Sequence, residues 1–214
     1  MVLLDLFCGR WGWSKAFVAR GWRIVGVDLV EPPEIPAGCE FFNLDVLEMS
    51  ADRDQTIYYL NHSAALCSAD AIVASSPCEE FSVRGMKHFH PNPKYPENGL
   101  RLFNHTRQLC EAAGVPFVIE NVRAAQQFVG NAVHHCGPFY LWGNAVPPLI
   151  PRDIRKMMSQ AQDRDANGKR IYAAAADRMW STKRKQVVAQ IPPELANCVA
   201  EYFERILEKQ AVSA

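Results

Sequence analysis

The sequence predicts an α/β protein built on a doubly wound, mostly parallel sheet, and two observations carry that prediction. Short apolar runs rich in β-branched or aromatic residues, Val2–Phe7, Arg23–Val27, Ala71–Ala74 and Pro116–Ile119, each end in polar or turn residues. Segments with helical spacing of apolar positions lie among them, so strand and helix alternate. With 214 residues, 49% hydrophobic and 21% charged, the chain suits one domain plus a small appendage and excludes a disordered or fibrous protein. No apolar run reaches the roughly 18–20 residues of a bilayer span, so no membrane partner is expected.

The first run begins at Val2 without a basic leader or cleavage site, which reads as a strand rather than a signal peptide. Ser14 caps a short helix expected over Ser14–Arg20, and the second strand follows. After the third strand, the region from His88 to Gly99 carries Pro91, Pro93 and Pro96 and reads as a loop. Leu100–Ala113 is expected to be helical through Leu102, Phe103, Thr106, Leu109, Cys110 and Ala113. The fourth strand runs into Glu120 and Asn121. Pro147, Pro148 and Pro151 then separate the sheet region from a basic segment. Pro192–Gln210 spaces Leu195, Val199, Tyr202, Phe203, Ile206 and Leu207 as one buried face of a docking helix. The expected division is a main domain over 1–143, a reduced basic segment over 144–189 and a terminal helix over 190–214 packing back on the main domain. Ligands of such sheets sit at the carboxyl ends of the strands, so Asp5, Asp28, Ser76–Ser82 and Glu120 are expected along one edge.

Formal charge is zero, with 23 basic and 23 acidic residues, but it is unevenly placed. Residues 1–149 hold 11 Lys/Arg against 15 Asp/Glu, residues 150–186 hold 10 against 4, and residues 187–214 hold 2 against 4. Overall neutrality therefore hides a strip suited to phosphate. The seven cysteines are odd in number, scattered and without Cys-x-x-Cys spacing, which points to a reduced, cytoplasmic compartment. Cys39, Cys67 and Cys110 are expected to be buried and inert. His88-x-His90 and His134-His135 lack zinc-ligand spacing, so no metal is expected.

Four stretches carry chemistry. Asp5-Leu6-Phe7-Cys8-Gly9-Arg10-Trp11-Gly12 takes a strand through a glycine-containing turn into a helix, which suits either a bound ligand or a tight turn alone. Asp28 ends the next strand where nucleotide-binding sheets place a ribose-binding acid, and Asp45 follows Phe42-Asn43-Leu44; both also fit ordinary turn chemistry. Ser76-Pro77-Cys78-Glu79-Glu80-Phe81-Ser82 holds a cysteine on a proline-fixed loop, a nucleophile or an inert thiol. Ile119-Glu120-Asn121-Val122 ends an apolar strand on a carboxylate, which desolvation can keep protonated near neutral pH.

Together these stretches resemble the cytosine-5 methyltransferases that use S-adenosylmethionine, over roughly residues 1–125. Pro-Cys-x-x-Phe-Ser followed by Glu-Asn-Val is the specific part of the match. The resemblance implies a Rossmann-like methyltransferase fold with a reduced basic appendage. It implies S-adenosylmethionine, or a derivative of it, held by Asp5, Phe7, Gly9, Gly12, Asp28, Asp45 and Pro77. It also implies Cys78, Glu120 and Asn121 as catalytic residues, with Cys78 adding to cytosine C6. Ser82, Arg84, Arg123, Arg152, Arg155, Lys183 and Arg184 would then meet the nucleic acid, DNA first; separately, the chain is expected to be a monomer.

The sequence departs from that family in four places. Trp11 stands where the family has its second turn glycine, and is expected to narrow or reshape the cofactor pocket. Glu79 replaces the usual Gln. Cys136–Leu141 resembles the lead-in to an Arg-x-Arg motif that does not follow, and Gln190–Ala196 is a shortened final motif. Only residues 144–189 stand where sequence-specific members carry a recognition domain. Phosphate contacts there imply salt-sensitive binding and relaxed or very short sequence specificity. RNA or a free nucleotide as substrate, transfer of a modified methyl group, and a non-catalytic nucleic-acid-binding relative are the alternatives.

Overall fold

The computed structural model describes residues 1–59, 64–78, 80–81, 96–149 and 191–213. In chain order these form β1 (Val2–Leu6), α1 (Ser14–Val18), β2 (Arg23–Asp28), β3 (Cys39–Asn43), β4 (Met49–Ala51), β5 (Thr56–Tyr59), β6 (Ala64–Ser68), β7 (Ala71–Ser75), α2 (Pro96–Ala113), β8 (Phe117–Asn121), α3 (Gln126–Val129), β9 (His134–Cys136), β10 (Phe139–Trp142) and α4 (Pro193–Ser213). The main sheet has the order β3-β2-β1-β7-β8-β10-β9. Its first five strands are parallel, and β10 and β9 close the edge antiparallel. Strand order reverses between β1 and β7, which opens a crevice at their carboxyl ends. The fold is Rossmann-like, as the alternation of strand and helix predicts.

Period-two alternation sorts the strand side chains onto two cores. Leu3, Ile24, Ala71, Val73, Val118 and Leu141 face α1 and α4, with Trp13, Phe17, Val199 and Phe203. Leu4, Leu6, Val25, Val27, Ile72, Ala74 and Ile119 face α2 and the small sheet, with Phe103, Leu109, Met49 and Ile57. The four predicted strands are present, with β2, β7 and β8 each extending one or two residues beyond the apolar run into Asp28, Ser75 and Asn121.

The terminal helix buries Leu195, Ala196, Val199, Ala200 and Phe203, with Phe203 against Phe17 at 5.9 Å between ring centres. Arg20 reaches Glu201 and Glu204 at 2.7 and 2.8 Å, and the Trp22 indole donates to Glu204. Surface pairs of this kind contribute a fraction of a kcal/mol each, so apolar burial holds the helix.

Several features differ from the sequence expectation. The helix expected from Leu100 starts earlier: α2 already begins at Pro96, where proline suits a first helical turn because no N–H is needed there. A Cβ at Gly99 would meet the Glu80 Cβ and the Phe81 ring at 3.1 Å, so glycine admits a close approach. The strands β4, β5 and β6 form an antiparallel sheet that the apolar pattern did not announce. Its strands are short, and its first turn is organised by the Asp52 carboxylate, which accepts from the N–H groups of Asp54 and Thr56. Cys67 and Cys110 are buried as expected, but Cys39 is only half-buried because β3 is the edge strand. The basic residues Arg152, Arg155, Lys183 and Arg184, with Ser82, Arg84, Glu79, His88 and His90, lie outside the described residues.

Candidate active site

The turn after β1 is built from left-handed residues: Phe7 and Trp11 both have φ of 61°, and Gly9 has 47°. This curls the backbone so that the Phe7 and Cys8 N–H groups both donate to the Val27 carbonyl, at 2.8 and 3.2 Å. The Gly9 N–H donates to one Asp28 oxygen and the Val30 N–H to the other, each at 3.0 Å. Asp28 therefore ties the β1 turn to the β2 turn.

Trp11, expected to narrow or reshape the cofactor pocket, is not among the residues that line the cleft above this turn. Its indole is 2% exposed, lies against Gly26 and Phe41, and donates from Nε1 to the Glu34 carbonyl at 2.9 Å. A Cβ at Gly26 would sit 2.3 Å from the ring, so the glycine in β2 makes the space the tryptophan fills. Left-handed backbone costs a non-glycine residue about 1–2 kcal/mol, whereas deleting a buried aromatic costs about 3–5. Trp11→Gly is thus expected to lower stability by about 2–3 kcal/mol, read as a fall in urea midpoint at constant slope.

Asp5 is not on the crevice wall. Alternation turns it toward α1, where it is 1% exposed and accepts from the Ser14 hydroxyl at 2.5 Å, while its Oδ1 has no hydrogen-bond partner. Burial, with a smaller push from Asp28, raises its pKa to about 7 against the pull of Ser14. It supports the turn from beneath.

Above the turn lies a cleft of about 650 Å³, a size that suits a nucleoside-sized ligand. Phe7, Gly9, Gly12, Asp28, Asp45 and Pro77 line it, so six of the seven residues expected at a cofactor come together and Asp5 does not. Leu29, Val30, Pro32 and Pro33, which sequence reasoning did not single out, add an apolar wall; two of them, Leu29 and Val30, are 65% and 70% exposed. Asp45 also caps the short turn after β3, accepting from the Leu47 N–H at 2.9 Å. Among the described residues, three carboxylates, Asp28, Glu31 and Asp45, against one guanidinium, Arg10, make the cleft suited to a cationic ligand.

The Cys78 loop leaves β7 beside this cleft. Asn121, fully buried, donates from Nδ2 to the Ser76 carbonyl and hydroxyl, both at 3.0 Å, and its Oδ1 accepts from the Val122 N–H. On the far side, the Phe81 N–H closes a turn on the Cys78 carbonyl at 3.1 Å. The Phe81 ring is buried and stacks obliquely on Phe128 at 5.7 Å. Cys78 is half-buried between these two anchors.

Glu120 pairs in register with Ser75, on the face shared with Val118 and Val73. Its carboxyl is packed densely enough that burial pushes its pKa up to about 8, against a hydrogen bond from the Ser75 hydroxyl. Asn121, one residue on, points to the opposite face, which is why adjacent residues serve different parts of the site. Arg123 is exposed on the turn that follows. Among the described residues no cluster of His, Cys, Asp and Glu has the arrangement of a metal site, and no helix is long and apolar enough to cross a membrane.

No family model matches the chain, and no curated protein matches it. Among solved structures it is similar to a protein described as a DNA modification methyltransferase encoded within an E. coli prophage, at 18% identity over 61% of this chain and 35% of that one, with a TM-score of 0.44. A Burkholderia thailandensis 1,6-didemethyltoxoflavin N1-methyltransferase, solved with S-adenosylhomocysteine, matches at 17% identity over 66% and 53%, with a TM-score of 0.35. The glycopeptide N-methyltransferase MtfA matches at 16% over 56% and 45%, with a TM-score of 0.31. The chain thus spans about a third to a half of the length of these structures. Strand order and register, rather than these partial overlaps, define the fold.

Proposed function

We propose that the chain transfers a methyl group from S-adenosylmethionine to C5 of cytosine in nucleic acid, with DNA as the first substrate to test. The observation that supports this reading is that the Cys78 loop, anchored by Asn121 on Ser76 and by Phe81, leaves β7 where Ser75 pairs with Glu120, and that Ser75 and Pro77 of the same stretch line the acidic cleft.

The cleft fits the cofactor by its donor set. Asp28 presents a carboxylate, already held by two backbone N–H groups, toward ribose hydroxyls. The Leu29, Val30, Pro32 and Pro33 wall suits a purine face, and the surplus of carboxylates suits a sulfonium and an ammonium. When bound, S-adenosylmethionine supplies an electrophilic methyl group.

Cytosine C5 is a weak nucleophile, so Cys78 adds through sulfur to C6 and moves electron density to C5. Glu120, which burial keeps protonated near neutral pH, donates to N3 and offsets the charge that develops there. Asn121 fixes the loop so that the sulfur meets the ring in one geometry. Once C5 carries the methyl group, its proton passes to water, the C5–H electron pair re-forms the ring double bond, and the C6–sulfur bond breaks to release Cys78 as thiolate. In a duplex the base must first leave the stack, at a cost of a few kcal/mol.

The test is incubation with methyl-labelled S-adenosylmethionine and unmethylated DNA, then RNA, followed by nucleoside mass spectrometry. Labelled 5-methylcytosine from DNA is the expected product. Cofactor binding with no labelled base in either polymer would overturn the reading.

A further inference from the structure

We propose that Ser75 is a positioning residue that aims and holds the Glu120 carboxyl, and that Trp13 sets the direction of the Ser75 hydroxyl, linking the β1 turn to the catalytic acid. This rests on the reading of Glu120 given above. The Trp13 indole N–H reaches the Ser75 Oγ at 2.9 Å from a ring that is 2% exposed. An indole N–H only donates, so the serine oxygen accepts from it. The hydroxyl proton is then left to point at an acceptor, and the Glu120 carboxyl beside it in register takes that bond. The chain therefore has one polarity, from Trp13 through Ser75 to Glu120.

Strand geometry makes the arrangement possible. Ser75 and Glu120 stand on the sheet face covered by α1, the face on which Trp13 packs. The sheet neighbours of Glu120 are Ser75 on β7 and Leu141 on β10, neither of them charged. Burial and the Ser75 hydroxyl are the influences on its carboxyl among the described residues, and they oppose each other. Removing the hydroxyl leaves burial unopposed. Trp13 and Ser75 also line the cleft, so the same two side chains border the cleft ligand and brace the acid.

The decisive experiment is a 13C NMR titration of the Glu120 side-chain carboxyl in the full, ligand-free chain, assigned with Glu120→Gln. Ser75→Ala is expected to raise the midpoint by about one pH unit, the scale of one hydrogen bond to a charged group. Trp13→Phe, which keeps the ring packing and loses the donor, is expected to move it in the same direction by less, and Ser75→Thr to restore it. A midpoint unchanged in folded Ser75→Ala would overturn the proposal, as would equal shifts in the Ala and Thr variants. The titration needs no substrate, so its outcome stands apart from whether cytosine is methylated. Where methyl transfer is measured, the upper pH limb of kcat is expected to follow the NMR midpoint.

Discussion

Cys78→Ala is expected to lower methyl transfer by about 10⁴-fold or more, the scale on which loss of a nucleophile is felt, and to abolish the covalent adduct with 5-fluorocytosine DNA. Fluorine at C5 blocks the elimination that releases the thiol, so the intact protein stays attached to the base and is read on a denaturing gel. The variant should fold, because Asn121 on Ser76 and the buried Phe81 anchor the loop on either side of position 78. Its stability is expected to lie within about 1 kcal/mol of the parent, since the removed sulfur is only half-buried. A Cys78→Ala protein that still forms the adduct would place the nucleophile elsewhere. The other described cysteines are poor substitutes: burial holds the Cys8 and Cys110 thiols far above the ordinary range, and Cys39 and Cys67 at about 11.

How much of this site was legible in the sequence depends on whether the signal was local. Glu120 and Asn121 follow an apolar run, so alternation alone separates them onto opposite faces, one toward Ser75 and the other toward Ser76. Asp28 was legible for the same reason, as the polar end of a buried strand. The Trp13–Ser75 bond joins residues 62 apart in the chain, and no local pattern announces it. The burial of Trp11 was not legible from its turn; the deciding partner is Gly26, a glycine in the interior of a strand, which signals close approach by a bulky neighbour. The small sheet β4-β5-β6 was not legible because its strands are short and bury few apolar residues; Met49 and Ile57 join the core that holds Phe103 and Leu109 of α2.

Stability is expected to depend on pH through Asp5, which is buried, and Glu120, which is partly buried. The folded state holds Asp5 at about 7 and Glu120 at about 8, against ordinary values of 3.8 and 4.5, and burial is the main cause in both. Between pH 4 and 8 the folded chain therefore binds protons that the unfolded chain has released, and stability falls as pH rises. The loss begins above the unfolded values and is complete once pH passes the folded ones. A pKa difference of this kind is worth on the order of a few kcal/mol at full expression, so the fall is a sizeable share of the stability of a domain this size. Urea midpoints taken from pH 5 to 8.5 are expected to decline steadily. Asp5→Asn should flatten the part below about pH 7, and Glu120→Gln should remove the part that continues to pH 8. A parent midpoint level across this range would mean that neither group is protonated in the fold. The same proton that weakens the fold as it leaves is the one Glu120 needs in order to donate to N3, so methyl transfer is expected to decline over the same upper limb, above about pH 8.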